Sequence, residues 1–400
     1  MPSATPLADE PRIAPLFEWL ATVPEGPFTR EQRTRALERF ASMRSGRERP
    51  GRFWRIDFET LTPDGGAIEL SGAIASFENP DSAIAVYNLA AAARECPDLL
   101  ARALGKTGIH ATKFGSLTAA FARVGFFVHV RADHACDEPL VLRYAAPAGT
   151  AVFPSSIVLA ERGARVTIVE RIVGGSGSFL CGATEIVTEE HAEISYAAVQ
   201  QADDDARVVW SRAARPGRDA RVAWADAELG AGLTAGDLAV EIEEPGIAAG
   251  ITAIFFPCGS QHVDVISTVE HRAGDATSET LVKSAARDRG QARFLGNIRI
   301  APHAQGSDAR LRDDALLLSP TAHIDSVPAL EIGANDVKAY HGATVGAMDA
   351  DQIFYMESRG LERTAAERMI ALGFFEPAIE RFPTVRLRDE IRAALAGKLS

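Results

Sequence analysis

Three stretches decide the fold: "RGARVTI" (162–168), "EHAEISY" (190–196) and "RDARVAW" (218–224). In each, an alanine in third place is followed by polar and apolar residues in alternation. The alanines are Ala164, Ala192 and Ala220, so the steps are 192 − 164 = 28 and 220 − 192 = 28. A fixed period of this size in short strand-like runs is what stacked coils produce, because one coil cannot bury its inner face alone. Alternate residues of a strand share a face. Val166 and Ile168, Ile194 and Tyr196, and Val222 and Trp224 are therefore expected to line one common core. A looser fourth copy is "AAGITAI" (248–254), with Ala249 a further 29 residues on. "QARFLGN" (291–297) and "TAHIDSV" (321–327) keep the shape and lose the spacing. The pattern predicts a parallel β-helix. A β-sandwich with coincidental spacing is the competing architecture, and the repeated turn chemistry weighs against it.

Outward from the repeat, residues 126–345 read as one β-helix core. Runs such as "GFFVHVRA", "PLVLRYAA", "ARVTIVERIV" and "HVDVISTVEH" recur there, divided by Gly, Asp, Glu and Pro. Residues 1–125 read as a mainly helical domain. "PFTREQRTRALERFASMRSG" (27–46) places Leu37, Phe40 and Met43 at three-residue steps among charges. "RPGRFWRIDFETL" (49–61) is expected as a short strand or loop. "DSAIAVYNLAAAARECPDLLARALG" (81–105) is expected as a helix stopping near Pro97, with a second short helix after it. Residues 346–400 return to helix. Asp349 is placed to cap a helix with Gln352 at N3, and Gly360 suits its C′ position. "ERTAAERMIAL" brings Met369, Ile370 and Leu372 up to Gly373, Pro377 and Pro383 punctuate, and Leu387, Ile391 and Leu395 form the apolar stripe of a last helix.

Bulk properties remove several function classes. The 400 residues carry a formal net charge of −12, which argues against a nucleic-acid-binding surface. The first residues lack the basic and apolar regions of a signal peptide. The richest apolar stretch, "AIAVYNLAAAA" (83–93), is too short to cross a bilayer and is broken by Asn88. Cys96, Cys136, Cys181 and Cys258 are far apart with no CxxC pair, against a disulfide framework or zinc ribbon and in favour of a reducing cytoplasm.

The residues alone nominate little chemistry. No P-loop, dinucleotide fingerprint, GxSxG elbow, HExxH or EF-hand loop is present. "GGSGSF" (174–179) reads as a turn between coils, and "QADDDAR" (201–207) as a solvated loop. The pairs Glu243–Glu244 and Asp313–Asp314 are expected in polar, solvated turns. His129 is expected as a satisfied strand residue. His191 shares a turn position with Gly163 and Asp219 and so looks structural. His262 and His271 fall on opposite faces of one strand, and His303 and His323 are expected in loops. Cys181 and Cys258 are expected as core residues. His341, in "VKAYHGATVG" (337–346), is either a ligand or a polar residue ordering the Gly342–Thr344 turn, and the residues leave that open.

The stretch 315–375, "ALLLSPTAHIDSVPALEIGANDVKAYHGATVGAMDADQIFYMESRGLERTAAERMIALGFF", resembles the signature of the SufB/SufD family, scaffold proteins of iron–sulfur cluster assembly. The matching motifs are an LLLS-like strand (Leu316–Ser319), P-x-LEI (Pro328–Ile332), D-V-K (Asp336–Lys338), HGATVG (His341–Gly346), Q-x-F-Y (Gln352–Tyr355) and S-R-G (Ser358–Gly360). Fainter echoes reach back to "LTAAFARVGFFVHV" (117–130). HGATVG, the modest length and the lack of a cysteine-rich insertion resemble the SufD branch.

The resemblance implies a right-handed parallel β-helix between helical domains and a scaffold rather than an enzyme. It implies a SufB-like partner paired along the β-helix edge near 310–345, and a SufC-like ABC ATPase docked on the C-terminal helices. It also implies no tightly bound cofactor, with iron or a nascent cluster held transiently at the subunit interface. His341 is then a candidate iron ligand there, and Gln352, Phe354, Tyr355 and Arg359 are candidate partner-binding residues, since aromatics and Arg dominate interface energetics. One departure stands out. The family's cysteine two residues before this histidine is Ala339 here, so a thiolate is missing from the site. A structural paralogue without the metal site is therefore the main alternative. A carbohydrate-active β-helix enzyme would need converging ionisable residues and a secretion signal, neither of which the sequence displays.

Overall fold

The computed structural model describes residues 14–23, 26–43 and 74–399. The aromatic run at 49–61 lies outside them. The chain forms a parallel β-solenoid of about eight turns, with helices at both ends. Each turn gives one strand to each of two sheets. The nine-stranded sheet runs β1 (Ile74–Glu78), β4 (Leu140–Ala146), β7 (Arg165–Gly174), β9 (Glu193–Gln200), β11 (Arg221–Glu228), β13 (Ala248–Phe255), β15 (Thr277–Ala286), β17 (Asp308–Leu317) and β19 (Lys338–Ala347). The ten-stranded sheet runs β2 (Ile84–Asn88), β3 (Val124–Val130), β6 (Pro154–Ala160), β8 (Phe179–Thr188), β10 (Arg207–Arg215), β12 (Leu233–Ile242), β14 (His262–His271), β16 (Gln291–Ile300) and β18 (His323–Ile332), with β5 (Ala151–Val152) beside β8. Pairing is parallel except where β1 meets β4 and β2 meets β3.

The 28-residue step is a true register: Arg165 pairs with Glu193, and Glu193 with Arg221. Val166, Ile168, Ile194, Tyr196, Val222 and Trp224 all face the shared core, as the alternation requires. The corner before these strands is left-handed in successive turns, at Gly163 (φ +67°), His191 (φ +58°) and Asp219 (φ +56°), so His191 is a corner residue. The fourth copy is misaligned by the sequence pattern. Ala249 pairs with Val222, so the residue level with Ala220 is Ile247, because that turn is shorter by one residue. "QARFLGN" and "TAHIDSV" belong to β16 and β18 in the other sheet, and for that reason they broke the spacing.

Two further expectations change. Within 81–105 the first half is strand: β2 pairs with β3, and the helix α3 (Leu89–Glu95) starts only after Asn88, whose side chain caps it by accepting from Ala91 N. Tertiary pairing of Val86 and Tyr87 overrides the Ala-rich helical pattern. His323 is in β18, with Nε2 2.9 Å from Asp325 Oδ1, and not in a loop.

Helices cover the outer faces of the sheets. The N-terminal α1 (Ala14–Thr22) and α2 (Arg30–Ser42), with α5 (Lys113–Phe121), pack on Phe179, Cys181, Val209, Ala235 and Ile266 of the ten-stranded sheet. The short α4 (Pro97–Ala101) begins at Pro97 itself. At the other end follow α6 (Ala350–Ser358), α7 (Arg363–Ile379) and α8 (Val385–Lys398). Leu387, Ile391 and Leu395 of α8 are buried against the nine-stranded sheet as their spacing predicts. Helix α7 runs through Gly373 and Pro377, where the sequence suggested stops. Its buried residues Ala371, Phe375, Ala378 and Ile379 lie on both sides of these positions and hold the helix on the sheet. No described helix is long and apolar enough to cross a bilayer.

Candidate functional site

The last turn of the solenoid differs from all the others. In the preceding turn, Ala309 and Leu311 of β17 face the buried core. In-register neighbours of a parallel pair point to the same side, and Leu311 pairs with His341, Asp313 with Ala343 and Ala315 with Val345. His341 therefore stands on the inward side of the solenoid, yet it is exposed, since no further turn covers it among the described residues. Val327 and Ile332 of β18 and Tyr340 and Val345 of β19 are also exposed. Both sheets end on these strands, whose outer edges have no strand partner among the described residues.

No side-chain hydrogen bond or ion pair holds His341 among the described residues. The Gly342–Thr344 turn that its bland interpretation needed does not exist, because β19 continues straight through to Ala347. Ala339 occupies the inward position before it and packs partly on the core. Thiols elsewhere do not replace the absent cysteine. Burial pushes Cys181, beside Thr118, up to about 12, and burial also raises Cys258. Both are thus poor thiolates at neutral pH. Among the described residues, no group of three or more His, Cys, Asp or Glu is placed to hold a metal ion.

Directly beneath the last turn lies a pair that the sequence misplaced. Asp313 and Asp314 are not in a solvated turn but in β17, 1% and 4% exposed. Asp313 faces inward. Ser326 Oγ donates to its Oδ2 while its Oδ1 has no partner, and burial pushes its carboxyl up to about 7. Asp314 faces outward, on the side of Lys283, whose ammonium lies 4.5 Å from the Phe374 ring of α7. Burial would raise its carboxyl, but hydrogen bonds from Lys283 and Thr344 outweigh that and hold it below the usual range. Lys283 Nζ and Arg312 Nε lie 2.7 and 2.8 Å from Oδ2, and Thr344 Oγ1 donates to Oδ1 at 2.8 Å. The alternation Leu311, Asp313, Ala315 was the available signal, obscured by the acidic doublet.

Helix α6 adds a second exposed surface. Asp349 caps it by accepting from Asp351 N rather than through a box with Gln352. Gly360 (φ +89°) closes it, with Gly360 N bonded to Glu357 O and Leu361 N to Met356 O. Ile353 is its one buried residue. Gln352, Phe354, Tyr355 and Arg359 all face solvent. Phe354 is 70% exposed, and Arg359 lies over the Tyr355 ring at 5.2 Å.

The solenoid interior holds a charged cluster that sequence reasoning did not find. Arg212 is buried, with Asp226 at 2.8 Å, Glu170 at 3.5 Å and Glu228 at 3.8 Å, and its guanidinium stacks 4.0 Å from the Trp210 ring. Burial, only partly offset by Arg212, raises Asp226 to about 6 and Glu228 to about 7. His271 is likewise interior, bonded to Ser278 Oγ at 2.8 Å and held down at about 4 by burial.

Residues 143–374 match the family described as SUF system FeS cluster assembly, SufBD core domain. The chain is 36% identical to the iron–sulfur cluster assembly protein SufD of Escherichia coli over 149 residues, which cover 37% of this chain and 35% of that protein. It is 30% identical to the chloroplastic protein ABCI7 of Arabidopsis thaliana over 253 residues, 62% of this chain and 53% of that one. With SufD of Bacillus subtilis the identity is 26% over 331 residues, 81% of this chain and 76% of that protein. The aligned segment thus spans about a third of the length of the Escherichia coli relative and about half of the Arabidopsis one.

Proposed function

Because this chain belongs to the SufB/SufD family of iron–sulfur cluster assembly proteins, and is SufD-like within it, we propose that it is a non-enzymatic scaffold subunit of a cytoplasmic SUF complex. The observation that carries this reading is the uncovered last turn. Its two strand edges, without a strand partner among the described residues, and exposed Val327, Ile332, Tyr340 and Val345 offer main-chain pairing and apolar cover to a SufB-like subunit. His341 then meets that partner from the inward side. A lone imidazole is an incomplete site for iron, so the partner supplies the remaining ligands and the iron or nascent cluster is shared cargo. Helix α6 offers Phe354, Tyr355 and Arg359 to a SufC-like ABC ATPase, and the ATP chemistry belongs to that subunit.

Co-expression with SufB-like and SufC-like proteins, and purification through a tag on this chain, tests the assignment. Recovery of both partners is expected, and deletion of 349–400 is expected to abolish recovery of the ATPase. Recovery of neither partner by the intact chain overturns it. A second reading, a structural paralogue that keeps the complex and lacks the metal site, is favoured by Ala339 alone. It predicts assembly without any dependence of iron content on His341.

A further inference from the structure

We propose that Asp314 is a positioning residue that ties the terminal strand β19, and through it His341, to helix α7. Apart from its ten-residue ladder to β17, strand β19 has few ties among the described residues. Main-chain bonds join it to β17, but none of its side chains is fully buried, so apolar packing contributes little to its register or tilt. Thr344 Oγ1 supplies a side-chain anchor by donating to Asp314 Oδ1 at 2.8 Å. The same carboxylate takes Lys283 Nζ of β15 on its other oxygen at 2.7 Å, in a site where both side chains are nearly closed to water. Charge-assisted bonds of this kind are shorter and stronger than neutral ones. The Lys283 ammonium in turn lies 4.5 Å from the centroid of the Phe374 ring on α7.

Phe374, Lys283, Asp314 and Thr344 thus form one connected path from α7, across β15 and β17, to β19. Thr344 and His341 are three residues apart on one short strand and face opposite sides of it. A rotation or slide of the strand that breaks the Thr344 bond therefore also displaces the imidazole. A shift of α7 removes the ring face from Lys283, and the carboxylate it shares with Thr344 must readjust. The functional consequence, that an ATPase seated on the C-terminal helices alters the end-turn surface, rests on the function proposed above; the coupling itself does not.

Amide hydrogen exchange over 338–347, on the full chain without partners, reads the coupling directly. Thr344→Val keeps shape and strand propensity but removes the donor. It is expected to speed β19 exchange roughly tenfold, the effect of losing one hydrogen bond to a charged acceptor. Thr344→Ser restores the donor and is expected to match the wild type. Phe374→Leu keeps an apolar side chain on α7 and removes the ring face. It is expected to speed exchange in β19 several-fold while leaving β11 unchanged. Unaltered β19 exchange in Thr344→Val, or in Phe374→Leu, overturns the proposal. Partner recovery plays no part in this measurement, so its failure is separable from failure of the scaffold assignment.

Discussion

Replacement of Arg212 by methionine tests the interior charge cluster. Arg212 is 1% exposed and is the cation among three interior carboxylates, Glu170, Asp226 and Glu228. Methionine fills much of the same volume and can still lie against the Trp210 ring, so the change is chiefly electrostatic. Removing one partner of a buried ion pair costs about 3–5 kcal/mol, because the remaining charges must either stay buried unpaired or take up protons. The cost should therefore depend on pH. Asp226 and Glu228 have folded pKa values raised to about 6 and about 7. Raised carboxyl values mean that the folded protein holds protons the unfolded chain has released. Their contribution is fully present below the unfolded values of 3.8 and 4.5 and is lost as pH rises to and through about 6 and about 7. At pH 5 both groups are protonated in the wild type, and Arg212 has fewer anions to balance. At pH 8 they are ionised, and the variant must bury them without a cation. Urea unfolding followed by circular dichroism at pH 5 and pH 8 measures both states. The wild type is expected to be more stable at pH 5 through these groups, and the loss in Arg212→Met is expected to be larger at pH 8. Equal losses at the two pH values, or a loss below about 1 kcal/mol at pH 8, would refute this account of the cluster.

Two predictions concern the exposed sites. Phe354→Ser combined with Tyr355→Ser should leave the unfolding free energy within about 1 kcal/mol of wild type, since both side chains face solvent, while lowering recovery of the ATPase partner on the tagged chain. Retained recovery in that variant would remove α6 from the docking surface. His341→Ala should leave both partners bound and lower the iron content of the purified complex, measured by elemental analysis. Loss of the SufB-like partner instead would make His341 a packing residue of the interface.

The 28-residue period was legible because two local rules act together. Alternation puts Val166, Ile194 and Val222 inside, and a left-handed corner at Gly163, His191 and Asp219 restarts each turn at the same phase. Where a turn loses a residue, as before Ala248, the alternation persists but the alanine marker slips, so Ala249 lies level with Val222 and not with Ala220. Strand β2 was hidden because "AIAVYNLAAAA" has the composition of a helix, and only its pairing with β3 makes its first half extended. Asp313 and Asp314 depart from the sequence expectation for a different reason. Composition marks an acidic doublet as solvated, whereas in a stacked coil one residue goes to the interior and its neighbour goes to the outer face, where Asp314 is buried against Lys283, whatever their charge. The family motif singles out His341 along the chain, but no periodicity reveals that the solenoid ends on its strand and, among the described residues, leaves it uncovered.

The two ends of the solenoid are treated differently, and that contrast bears on function. A stack of parallel turns exposes a raw apolar cross-section at each end, and soluble solenoids need a polar cap there. At the first turn the chain supplies one: β1 and β2 pair antiparallel on β4 and β3, and Phe77 packs on Phe126, which stacks in turn on Tyr144. At the last turn, among the described residues, the nearby helices α7 and α8 do not serve as a cap. Instead α7 lies on β13 and β15, and α8 reaches back to β7 through Glu390 and Arg171 and to the main chain of Leu229 through Lys398. These contacts draw the C-terminal helices along the outer face of the nine-stranded sheet and away from the open end. With the C-terminal helices anchored elsewhere, Val327, Ile332, Tyr340 and Val345 stay uncovered among the described residues. The proposed function has another chain complete that end, and it leaves the exposed Phe354 and Tyr355 of α6 outside that contact.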